Sequence, residues 1–130
     1  MGAASYAIYG AGCAMIIILD WPDASLSPNR KNGKSWVSTV SRKDGYRRMA
    51  AFYVRYALAG EIKPIKPYKL VITFVQPDKR RRDLDNLLAT IKPGLDGIAY
   101  GLGIDDYDFE QITLKREFGP KPGCVKVEFL

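Results

Sequence analysis

Histidine is absent from the 130-residue chain, and that alone narrows the chemistry. Ser-His-Asp and Cys-His catalysis, His-ligated zinc and imidazole bases are all excluded. Carboxylates, Lys, Arg, Tyr, hydroxyls or a carboxylate-held metal remain. Cysteine is nearly as scarce: Cys13 and Cys124 form no CxxC pair and cannot staple a small secreted scaffold. A reducing, cytoplasmic compartment fits that usage. Long apolar runs are missing too. The strongest, Met15–Leu19, leads straight into Asp20-Trp21-Pro22 and is too short for a membrane span or a signal core. Residues 1–14 therefore read as a flexible N-terminal extension or tag, and 15–130 as a single domain.

Negative charge is also in the minority, with 14 Asp plus Glu against 20 Lys plus Arg, a net charge of +6. An anionic partner follows, nucleic acid before an anionic membrane surface. The hydrophobic fraction of 47% is enough for one buried core and argues against general disorder.

Met15–Asp20 reads as a short buried strand, and the segment up to Trp36 as a loop rich in Pro, Asn and Gly. From Ser41 to Ala59 the pattern is helical, with Tyr46, Met49, Ala50, Tyr53, Tyr56 and Ala57 as one apolar face. Tyr68–Gln76 alternates and is β-branched, a strand packed on one face. Leu84 to Leu102 reads as one helix kinked near Pro93, because proline removes a backbone donor. Phe109–Phe118 and Cys124–Leu130 are two further alternating strands. The fold class predicted is α+β: a two-layer α/β sandwich, one mixed sheet with two helices, in the order β-α-β-α-β-β.

The informative stretch is Lys79-Arg80-Arg81-Arg82-Asp83-Leu84-Asp85-Asn86. In an extended segment Asp83 and Asp85 point the same way while Leu84 turns inward. Helix capping and the helix dipole explain such a pair in part. They do not explain the second acidic cluster, Asp105-Asp106 with Asp108, beyond the helix. Three Asp beside phosphate-holding cations are the parts of a Mg²⁺ site for phosphodiester hydrolysis, in which the metal replaces a side-chain base. A straight helix would hold the two clusters about 25–30 Å apart. The kink, the following loop or a second subunit must then bring them together.

RRRDLDNLL, followed some twenty residues later by an aliphatic residue and Asp-Asp, resembles the RusA family of Holliday junction resolvases of phages and prophages. The opening strand, Trp21-Pro22, the Pro-Asn-Arg segment and the basic helix resemble that family's beginning. The resemblance implies a RusA-like fold and a homodimeric, Mg²⁺-dependent endonuclease, Mn²⁺ being a possible substitute, in the cytoplasm of a bacterial host. Such enzymes resolve four-way DNA junctions by paired symmetric nicks, leaving 5′-phosphate and 3′-hydroxyl ends. Asp83, Asp85 and Asp106 match the family's catalytic, metal-binding carboxylates, and Asp105, the first member of the downstream pair, is added as a metal ligand. The family's catalytic lysine falls at Ala89 by spacing; Lys92, one turn later and followed by Asp96 at the family's spacing, takes the role.

Lys79, Arg80, Arg81 and Arg82 are expected on DNA phosphates, with Arg30, Lys31, Lys34, Lys43, Arg47 and Arg48 extending the basic surface. Tyr46, Tyr53 and Tyr56 are expected in the core or a dimer interface, and Trp21 and Trp36 as packing residues. Neither a membrane nor a small-molecule cofactor is expected. Two rival functions share these features: a non-catalytic basic nucleic-acid-binding module, and a metal-dependent nuclease for another substrate such as flaps or RNA.

Overall fold

A computed structural model describes residues 7–8, 15–26, 36–58 and 63–130. Arg30, Lys31 and Lys34 lie outside the described residues. Those described form an α+β fold with one mixed sheet and three α-helices. The strands are β1 (Ala7–Ile8), β2 (Met15–Asp20), β3 (Tyr68–Gln76), β4 (Phe109–Phe118) and β5 (Cys124–Phe129), in the sheet order β1-β2-β5-β3-β4. The helices are α1 (Trp36–Ala57), α2 (Leu84–Thr90) and α3 (Lys92–Leu102).

Three boundaries differ from the sequence expectation. Ala7–Ile8, inside the expected flexible extension, pairs antiparallel with Ile16–Ile17 of β2. Helix α1 begins at Trp36 rather than Ser41. The single helix kinked at Pro93 is two helices, and the break falls at Ile91 (φ −93°, ψ 5°). Pro93 then sits in the first turn of α3, where its missing N–H has no partner to lose, so it starts a helix instead of bending one.

Strand β4 runs parallel to β3, which requires a crossover, and α2 and α3 supply it. The β4–β5 connection then steps across the end of β3: the Gly119 N–H donates to the Gln76 carbonyl at 2.9 Å. That places β5 between β2 and β3, antiparallel to both.

Period-two alternation explains the core. Met15, Ile17 and Leu19 of β2, Leu70, Ile72 and Phe74 of β3, and Val125, Val127 and Phe129 of β5 are all buried on one side of the sheet. They join one cluster with Tyr46, Ala50, Val54 and Ala57 of α1 and with Leu87, Ile91, Leu95, Ile98 and Leu102. Each such aliphatic or aromatic side chain contributes about 1.5–3 kcal/mol on burial. Tyr56 departs from the expected apolar face. With Val54 inward, a residue two further on points roughly 200° away, and Tyr56 lies in solvent. The Tyr46 hydroxyl donates to the Asp20 carbonyl at 2.8 Å, tying α1 to the end of β2, and burial with the nearby Asp20 charge raises its pKa.

Helix α3 lies close against α1 because it carries glycine there. A Cβ at Gly97 would strike the Arg47 carbonyl oxygen, and one at Gly101 would come within 2.8 Å of Val54 Cβ. Gly103, in the left-handed region at φ 77°, ends α3 and turns the chain back toward β4. Cys124 carries a free thiol whose pKa is pushed up by burial. Among the described residues, no helix is long and apolar enough to cross a membrane.

Candidate active site

The loop from β3 to α2 is shaped from within. Gln76, the last residue of β3, is fully buried, and its amide nitrogen donates to the carbonyls of Arg80 (3.0 Å) and Asp78 (3.4 Å). Its amide oxygen accepts from Arg116 Nε of β4 at 3.0 Å, and the same guanidinium donates to the Arg82 carbonyl. A buried amide with its polar atoms satisfied fixes the backbone around it. Asp78 completes the loop by accepting from the Arg80 N–H (2.9 Å) and from Arg82 Nη1 (2.8 Å). The Arg82 hydrogen bond, then that of the Arg80 backbone, holds the Asp78 carboxyl below the usual range.

The expected phosphate contacts consequently fall into two groups. Arg82 is committed internally: it pairs with Asp78, and its guanidinium lies 5.3 Å from the Trp21 ring centre. Arg47 pairs with Asp44 at 3.2 Å. Arg80 and Arg81 are exposed and enter none of the ion pairs among the described residues. Lys79 is exposed as well, with its ammonium 5.9 Å from the Phe118 ring.

Asp83 occupies the N-cap position of α2 in extended backbone (φ −82°, ψ 141°), yet its side chain makes no capping hydrogen bond. Asp85 follows in the first turn. Both are exposed, with the half-buried Leu84 packed against the core between them. Neither carboxylate has an ion-pair partner among the described residues. Capping therefore does not account for Asp83.

The second acidic cluster is differently employed. Asp105 caps a short 3₁₀ turn by accepting from the Tyr107 N–H at 3.0 Å, and Asp108 returns the bond by accepting from the Asp105 N–H at 3.2 Å. Asp106 accepts from Lys92 Nζ at 2.6 Å, and Lys92 donates also to Asp96 at 2.5 Å. Partial burial works against the Lys92 charge, but the hydrogen bonds to Asp106 and Asp96 outweigh it and raise the ammonium pKa. The hydrogen bond from Lys92 lowers that of Asp106.

The fold thus brings together Lys92, Asp96 and Asp106, which the sequence separates by up to 14 residues. It also gathers Arg80, Arg81, Arg82, Asp83 and Asn86 on one cleft of about 490 Å³ that Trp21 also lines. Asp105 and Asp106 line a different cleft with Asp96 and Tyr100. Asp85 lines neither cleft, and the two share no residue. No group of three or more Asp, Glu or Cys among the described residues is gathered closely enough to hold a metal. Asp96 entered the sequence reading only as the spacing signal that singled out Lys92; the structure makes it that lysine's i+4 partner. Gln76, Asp78 and Arg116 carried no such signal.

No family model matches the chain. It is similar to an uncharacterized protein of Xylella fastidiosa strain Temecula1, at 36% identity over 111 residues that cover 84% of this chain and 71% of that protein. On that similarity, the chain belongs to the same family as the Xylella fastidiosa protein.

Proposed function

We propose that this chain is a Mg²⁺-dependent, structure-selective DNA endonuclease of the RusA type, a two-layer sandwich acting as a homodimer on four-way junctions in a phage- or prophage-bearing bacterial host. The observation that carries the proposal is the carboxylate pair Asp83 and Asp85, without ion pairs among the described residues, at the end of a loop whose Arg80 and Arg81 likewise enter no ion pair among them. Exposed carboxylates left without a cap or an ion pair beside cations are poorly explained by fold stability alone.

The donor chemistry fits a hard cation. Mg²⁺ is usually held by one or two carboxylates, with waters and substrate phosphates completing its shell. Asp83 and Asp85 would hold it, Mn²⁺ being accepted in its place; Asp106, which lines the other cleft and pairs with Lys92, would complete the set only across the proposed dimer, with Asp105 holding its turn. The chemistry a bound ion supplies is stabilisation of charge building on the phosphate and a more acidic water. Arg80 and Arg81 bind flanking phosphates as planar forks. Lys92 spends two of its three N–H donors on Asp96 and Asp106 and keeps the third for a phosphate oxygen. Recognition of the branched substrate is mostly electrostatic and read by shape.

The test is cleavage of a synthetic four-way junction, a flap and a plain duplex in Mg²⁺, with EDTA and with Asp85→Asn. Paired nicks in the junction alone, abolished by both treatments while gel-shift affinity is kept or increased, are expected. Binding without cleavage would overturn the proposal in favour of a non-catalytic module. Preferential cutting of the flap would assign a different substrate.

A further inference from the structure

Three large aromatic side chains stand in solvent on the outer helices: Phe52 and Tyr56 of α1, 65% and 70% exposed, and Tyr100 of α3, 66% exposed. Phe52, Arg55 and Tyr56 share one helix face at i, i+3 and i+4. The Phe52 and Tyr56 rings lie 6.4 Å apart at 19°, nearly parallel, and the Arg55 guanidinium sits 4.8 Å from the Tyr100 ring centre, bridging the two helices. Tyr100 in turn lines the cleft of Asp96, Asp105 and Asp106. The aromatic row and the acidic cleft are therefore neighbours.

Exposed rings in a row mark a contact surface, and the surrounding charge selects the partner. Helix α1 carries Arg42, Lys43, Arg47, Arg48 and Arg55 against Asp44 alone. An anion that also presents flat apolar faces satisfies both features, and unstacked nucleobases on a phosphate backbone are that chemistry.

We propose that Phe52, Tyr56 and Tyr100, with Arg55, form a stacking platform for unpaired nucleotides beside the acidic cleft. The choice of DNA as partner rests on the endonuclease proposal; the platform itself is tested by binding, without cleavage. Fluorescence anisotropy in EDTA would compare oligo(dT) with a blunt duplex on the full chain. Phe52→Ala and Tyr100→Ala are expected each to weaken oligo(dT) binding about tenfold and duplex binding less than about twofold, with Tyr100→Phe close to wild type. All are surface changes, and circular dichroism checks that the fold is kept. Equal oligo(dT) affinity in wild type and variants would overturn the platform, as would a wild type that ignores oligo(dT). Variants that become monomeric in sedimentation while keeping oligo(dT) affinity would also overturn it and assign the face to a copy of the chain. Junctions left uncut by a wild type with the expected anisotropy pattern would sink the endonuclease and leave the platform standing.

Discussion

Asp78 belongs to no motif in the chain, yet the loop that presents Asp83 closes around it. Its carboxyl is held below the usual range by Arg82 and the Arg80 N–H. A folded pKa depressed below the unfolded value of about 3.9 gives a stabilisation present above that value and lost as pH falls through the folded one. The Asp78–Arg82 pair should therefore stay intact across neutral and mildly acidic conditions. An NMR carboxyl titration is expected to place the Asp78 midpoint below that of a free aspartate; a midpoint at or above it would show that the pair does not form in solution. At this scale the sequence was legible where the chemistry is local. The acids of DLDN and the cations before them are adjacent in the chain, so spacing alone puts them at a helix start. Gln76 and Arg116 lie 40 residues apart, and nothing in the alternation of their strands marks them as partners. Lys92 and Asp106 meet only because Gly103 turns the chain back, which no periodicity reports.

Among the elements, the closest fit is between α1 and α3. Gly97→Ala would push a methyl group into the Arg47 carbonyl and should destabilise the protein by about 1–3 kcal/mol. Gly45→Ala, in α1 with nothing within 4 Å of the added carbon, should instead stabilise by about 0.5–1 kcal/mol. Urea denaturation of both variants checks the pair, and equal midpoints would show that the helices are spaced further apart than described. Strands β2, β3 and β4 were legible to the residue, β2 as a short apolar run rich in Ile and the other two by alternation with β-branched side chains. The helices were less so. Proline has opposite meanings inside a helix and in its first turn, and the pattern around Pro93 did not distinguish them. The inward face of α1 was misphased at Tyr56, which lies roughly 200° round the helix from the buried Val54.

For the whole molecule, composition and alternation conveyed a mixed α+β domain with a basic surface but not its wiring. Two strands joined by a short Gly-Pro turn look like neighbours; here they flank β3 on opposite sides. Since among the described strands β5 alone connects β2 to β3, a chain ending before Cys124 should lose hydrogen-exchange protection in β2 and β3 alike. Wild-type protection in either would mean that the sheet tolerates a missing centre. The wider consequence concerns synthesis. Ribosomes deliver this protein's middle after both of its flanks, so the nascent chain must keep two unfinished sheet margins soluble until a late insert zips them shut.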